Sequence, residues 1–229
     1  MAVDYRDEMP PLLRDFTSYL VTVGGKSPRT ADQYYLDLRL FFRYMKWHFG
    51  LVESLDDLAA IPIDDVTIDL IRKIRLTDLY QYLDFLARDR ESQPNSTSSP
   101  QGISAASRSR KVSCIRTFFK YLEKKVHLIE ENPASELELP KKKGRLPRYL
   151  SLEESRELLN HISGKNATRD FCIILLFLGC GMRVSELVGI DLTDFRDDQL
   201  RVLGKGNRER ILYLNEACLA AIEEYRMIR

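Results

Sequence analysis

The sequence predicts a mainly α-helical protein in two parts: an N-terminal helical domain, then an α+β region with a small β-hairpin. Three observations predict this. Apolar residues recur at helical spacing over four stretches of the first 125 residues. A basic Pro/Lys/Gly run, Lys141 to Arg148 (KKKGRLPR), separates those stretches from the rest, as inter-domain linkers do. After Gln199 the pattern changes to two short strand-like runs joined by a glycine-containing turn.

The elements follow in order. Pro10 and Pro11 precede a helical pattern over 12–23. Ser27-Pro28 reads as an N-cap with proline in the first helical position. It starts a helix to about Phe49 whose Tyr34, Leu38, Phe41 and Met45 share one apolar face. Trp47 and His48 near its end read as packing residues. An acidic, proline-punctuated stretch follows, then a third helix over about 76–90. Residues 91–102 (ESQPNSTSSPQG) have loop composition. A fourth helix spans about 104–125, and Asn132-Pro133 turns the chain. Ser151-Leu-Glu-Glu is a capping box opening a helix to about His161. The apolar run at 169–178 reads as a buried helix, broken by glycines at Gly179 and Gly181 before a short helix through Arg183 and Glu186. Strands at 199–203 and 210–214 form the hairpin, and a last helix begins near Asn215. These features divide the chain into 1–140, a basic linker at 141–150, and 151–229.

Composition narrows the function. With 44% hydrophobic and 30% charged residues in 229, the chain is an ordinary globular one, large enough for a real core. Cys114, Cys172, Cys180 and Cys218 have no C-x-x-C spacing, which argues for free thiols in a reducing cytoplasm and against a zinc site or a disulfide framework. The start, MAVDYRDEMPPLL, lacks a basic-then-apolar signal pattern, and the longest apolar run is too short to span a bilayer, so no membrane role is expected.

The net charge of +1 hides segregation. The stretch 52–70 holds six acids and no base; 104–125 holds seven bases and one acid; KKKGRLPR holds five bases and no acid. A neutral protein can thus show a polyanion one positive face. On a helical wheel Val112, Ile115, Phe118, Phe119 and Leu122 share an arc. Arg110, Arg116, Lys120 and Lys124 lie opposite, with Ser113 and Thr117 interleaved. Such a helix suits duplex DNA, its bases on phosphates. The competing reading is a surface helix whose bases pair with acids elsewhere.

Other site classes fail on their motifs. Gly179-x-Gly181 continues to Val184 where a dinucleotide fingerprint needs glycine or alanine, and no phosphate-loop motif exists, so no nucleotide cofactor is expected. His48, His127 and His161 form no metal-ligand pair, and no G-x-S-x-G elbow occurs. What remains is Arg183, just after a glycine turn, and Lys205 at the tip of the hairpin. Both are suited to phosphate oxygens.

At these residues the chain resembles the tyrosine site-specific recombinases, the phage integrase family, and particularly their Xer type. The matching runs occur in order. Ser27 to Phe41 reads S-x-R-T-x-x-x-Y-x-x-D-L-x-x-F, and Ser107 to Leu122 forms the later basic helix. Asn132-Pro-Ala134 and Pro140-Lys to Leu146-Pro lie between the domains. Gly181-Met-Arg-Val-Ser-Glu-Leu187 and Gly204-Lys-Gly-Asn-Arg-Glu-Arg210 follow. The stretch 47–102 matches less well. The resemblance implies an N-terminal core-binding (SAM-like) helical domain at 1–140 that clasps DNA, and at 151–229 the first part of the catalytic domain. It implies site-specific recombination, by cleavage and rejoining of double-stranded DNA through a 3′-phosphotyrosyl intermediate, with no cofactor and in a homo- or hetero-tetrameric synapse. Arg183 and Lys205 are then catalytic: Arg183 stabilises charge on the phosphoryl oxygens and Lys205 is the general acid. Arg108, Arg110, Lys111, Arg116, Lys120, Lys141, Lys142 and Lys143 contact DNA, and Glu186 orients its neighbours. The setting is either chromosome-dimer resolution, which serves chromosome partition and cell division, or movement of a mobile element.

One departure qualifies this. The family's His-x-x-Arg motif does not occur, no histidine follows His161, and only Tyr213 and Tyr225 follow Lys205. Both read as packing residues. The expectation is therefore a fragment that stops within the catalytic domain and alone cleaves nothing. The alternatives are a non-catalytic DNA-binding or recombination-modulating protein, and a helical protein-interaction module with no nucleic-acid role.

Overall fold

Helix starts lie where side-chain caps place them. In the computed structural model, which describes residues 9–88, 102–140, 148–204, 206 and 208–229, Ser27 Oγ accepts the Thr30 N–H at 3.2 Å and Ser104 Oγ accepts the Ser107 N–H at 3.2 Å. Ser151 accepts from Glu154 N–H at 3.1 Å while Glu154 accepts from Ser151 N–H at 2.7 Å, the reciprocal capping box. Asn215 accepts the Cys218 N–H at 2.9 Å. Each cap satisfies an N–H that the first helical turn leaves without an intrahelical partner.

The chain forms two compact units, 1–144 and 145–229. The first holds α1 (Pro11–Thr22), α2 (Pro28–His48), α3 (Ile68–Arg72), α4 (Leu76–Arg88) and α5 (Ala105–Lys124). Helices α1, α4 and α5 all pack on α2. Their core is aromatic: Phe16, Phe41, Phe42, Tyr82, Phe118 and Phe119 are fully buried, and Phe16–Phe118 and Phe41–Tyr82 meet edge to face at 5.2 and 5.1 Å. The buried face of α2 is wider than the predicted stripe, because Tyr35, Leu40, Phe42, Tyr44 and Lys46 are buried as well. A helix contacted by three others has little surface left for water. Trp47 is 38% exposed, with its ring against Tyr44, so it packs only in part.

The acidic stretch contains α3, a five-residue helix the periodicity does not reveal. Its segment is anchored by Lys46, whose buried ammonium meets Asp65 and the Pro62 carbonyl at 2.8 and 2.9 Å. The predicted loop at 91–102 lies outside the described residues except for Gly102.

The second unit holds α6 (Leu152–Asn160), α7 (Ala167–Cys180), α8 (Val184–Val188), β1 (Phe195–Arg196), β2 (Gln199–Leu203), β3 (Glu209–Tyr213) and α9 (Glu216–Ile228). The strands form one antiparallel sheet in the order β1-β2-β3. The first is too short for a sequence pattern to announce, and Asp197 turns it into β2 with a positive φ of 52°. Two expectations need correction. The apolar run is not buried throughout: within α7 only Cys172 and Leu176 are buried, and Leu178 is 41% exposed, because the helix packs one side against α9 and α6. Tyr213 does not pack. It pairs with Gln199 on the outer face and is 70% exposed, while its neighbour Leu212 pairs with buried Leu200. Tyr225 does pack, half-buried against this core. Among the described residues no helix is long and apolar enough to cross a membrane.

Candidate phosphate site and nucleic-acid interface

Arg183 owes its position to the way α7 ends. The helix runs through Cys180, and Gly181 takes the left-handed conformation (φ 58°, ψ 36°) with its N–H on the Phe177 carbonyl at 3.1 Å. This is a helix stop that glycine adopts without strain. Met182 then tucks into the core, and Arg183 stands, extended, at the N-cap of α8. A guanidinium has no acceptor, so it cannot cap the helix that follows. Glu186 supplies the interaction from the other side. Its Oε2 accepts the Arg183 N–H at 2.8 Å and its Oε1 accepts from Arg183 Nη1 at 2.7 Å.

The pair is asymmetric. The Glu186 side chain is fully buried, whereas that of Arg183 is 63% exposed. The backbone N–H of Arg183, then the guanidiniums of Arg183 and Arg210, hold the Glu186 carboxyl below its usual range against the opposing effect of burial. Arg210, on β3, donates to Glu186 Oε2 at 2.9 Å. One carboxylate thus carries two cations, and Arg183 keeps donors facing solvent. Such a group can grip an oxyanion bidentately. Lys205 lies outside the described residues.

In the first unit the predicted basic face is partly free and partly committed. Arg116 and Lys120 are exposed on α5. Arg108 is half-buried and donates to the Ile103 carbonyl. Arg110 and Lys111 converge on Asp37 of α2, which is 3% exposed; Arg110 remains 45% exposed at its side chain, whereas Lys111 is buried with its ammonium 2.6 Å from Asp37. Lys111 therefore points into the helical core and joins α2 to α5. The interleaved hydroxyls turn back on their own helix: Ser113 donates to the Ser109 carbonyl at 2.9 Å and Thr117 to the Ser113 carbonyl at 2.7 Å. Lys141, Lys142 and Lys143 lie outside the described residues.

Two residues escaped the sequence reading. Asp37 and Arg210 both stand inside runs that carry the family resemblance, but the acid and its bases are about seventy positions apart, and the bond of Arg210 to Glu186 spans 24. Charge counting shows that pairing is available and not which residues pair.

Residues 148–229 match the phage integrase family. The chain is 47% identical to the tyrosine recombinase XerC of Caldanaerobacter subterraneus subsp. tengcongensis, over 96% of this chain and 59% of that one. It is 30% identical to the XerC of Leptospira interrogans serogroup Icterohaemorrhagiae serovar copenhageni, over 93% and 60%. It therefore spans about three-fifths of the length of these relatives. The fold matches the XerH site-specific recombinase bound to palindromic difH substrate, with a TM-score of 0.59 and 19% identity over 92% of this chain and 57% of that one. It also matches a lambda integrase dimer bound to a COC′ core site, with a TM-score of 0.58 and 17% identity over 95% and 68%. On fold, motifs and relatives together, the chain belongs to the tyrosine recombinase, or phage integrase, family.

Proposed function

We propose that this chain is the DNA-clasping part, with the leading portion of the catalytic domain, of a site-specific tyrosine recombinase. Residues 1–140 hold duplex DNA through α5, the basic linker 141–150 follows the backbone, and 151–229 bring Arg183 and Lys205 to the scissile phosphate. The observation that carries the reading is the Arg183 turn, an exposed guanidinium fixed by a buried carboxylate. In the reaction a tyrosine oxygen bonds phosphorus and the 5′-oxygen departs. Arg183 stabilises charge on the phosphoryl oxygens, and Lys205 delivers a proton to the leaving oxygen. The phosphotyrosyl bond keeps the energy needed for rejoining. Tyr213 and Tyr225 are not assigned as the nucleophile, so these 229 residues alone are expected to form no covalent adduct with a nicked suicide duplex. The partner is double-stranded DNA, and strand exchange takes place in a tetrameric synapse in the cytoplasm.

Duplex binding across a salt series tests this. The chain should bind with a steep salt dependence, and R116A/K120A, which alters two exposed bases on α5, should reduce the slope of log K against log salt by about 1.8 if each base meets one phosphate. Binding that ignores salt, or a double variant that behaves like the parent, would refute the DNA reading.

A further inference from the structure

We infer that Arg210 is a positioning residue of the phosphate site, acting on Arg183 through Glu186. The inference rests on the reading of Arg183 as a phosphate ligand and extends it to a residue on a different element.

Three observations join the sheet to the Arg183 turn. Arg210 Nη2 reaches Glu186 Oε2 at 2.9 Å, the same oxygen that accepts the Arg183 backbone N–H at 2.8 Å. Gly204, where the chain leaves β2, lies against the other oxygen: a Cβ there would stand 3.2 Å from Glu186 Oε1 and 3.9 Å from Arg183 Nη1. The N–H of Gly204 bonds the Arg208 carbonyl at 2.8 Å, and Val202 pairs with Arg210, so one stretch of hairpin supplies both the cover and the second cation. The carboxylate is therefore shielded from water by a backbone that has no side chain to intrude.

Charge explains why a second cation belongs there. A buried carboxylate facing one guanidinium alone would neutralise it and hold it inward. With two cations sharing one acid, the group is net +1, and Arg183 keeps its exposed donors for an oxyanion. Arg210 is itself 42% exposed at its side chain, but the guanidinium is committed to Glu186. Its effect on phosphate is then indirect: without it, Arg183 is drawn onto Glu186 and the hairpin is released from the turn.

The test uses the whole 229-residue chain and a short phosphodiester duplex, with R183A, R210A, R210K and the double variant R183A/R210A. Each single alanine variant should weaken duplex binding by about tenfold, the worth of one charge-assisted contact. The double variant should be no weaker than R183A, because Arg210 acts only through Arg183. R210K should recover part of the loss, since an ammonium also satisfies Glu186. Arginine side-chain NMR supplies a readout that plain destabilisation does not move. The Arg183 Nε–H signal, identified by its absence in R183A, should shift in R210A at a temperature where circular dichroism shows the chain still folded, and return toward the parent position in R210K. Losses that add in the double variant would make Arg210 an independent contact and overturn the proposal. An unmoved Arg183 signal in R210A would overturn it too. If R183A binds as the parent does, the phosphate-site reading itself fails, a result distinct from a normal R183A loss with a silent R210A.

Discussion

Replacing Asp37 by alanine tests how the first unit is held together. Asp37 is 3% exposed and accepts from Arg110 and Lys111, so it joins α2 to α5 across the core. The two partners differ in what they lose. Arg110 is 45% exposed and can turn to water, so its share is about 0–1 kcal/mol, as for surface pairs. Lys111 is 10% exposed at its side chain, and removing Asp37 takes the carboxylate of its ion pair away from a largely desolvated ammonium, a change that typically costs about 3–5 kcal/mol. For a unit of 144 residues each kcal/mol moves the melting temperature by about 3–4 °C, so Asp37→Ala should lower it by roughly 10–20 °C. The assay is specific, because Trp47 on α2 is the chain's single tryptophan and its fluorescence follows this unit alone. Arg110→Ala should lower the midpoint by only a few degrees. Asp37→Leu combined with Lys111→Met should recover most of the loss, since an apolar pair of similar volume replaces the ions without a desolvated charge. A D37A variant within 1 °C of the parent, or a double variant as unstable as D37A, would refute this account.

Two further outcomes are expected. Gly181→Ala forces a side chain into the left-handed region with nothing nearby to clash, so it should cost about 1 kcal/mol of strain, and Gly181→Asn less, in calorimetric melts of the second unit; an unchanged melt would show that the turn adapts. Glu186 has a folded-state pKa below its ordinary value of 4.5, so its stabilising effect is complete above that value and is lost as pH falls through the lower, folded one. Melts between pH 6 and about pH 3 should therefore fall less steeply for Glu186→Gln than for the parent; identical acid limbs would show that Glu186 is not linked to folding.

Much of the fold follows from local physics. Ser27, Ser104, Ser151 and Asn215 accept hydrogen bonds from N–H groups three residues ahead, so the sequence around each cap announces the helix start. The apolar arc of α5 is a matter of period, and Val112, Ile115, Phe118, Phe119 and Leu122 are indeed all buried. Helix α3 and strand β1 have five and two residues, too few for a period to show, and they exist because neighbours hold them. In the same way the glycine that ends α7 is visible beforehand, since its left-handed turn is a property of one residue.

The sequence by itself determined the longer helices and the side-chain caps that start them, the hairpin, the segregation of charge and the order of motifs, and hence the family. Only the tertiary structure decided which charges are free. It turned Lys111 inward to Asp37, left Arg116 and Lys120 in solvent, set Tyr213 outward, and placed Arg210 beside Glu186. The reason is range. A cap or a helical period is settled within about four residues, whereas an ion pair depends on packing that brings together residues far apart in the chain, and a tally of bases and acids does not record that distance.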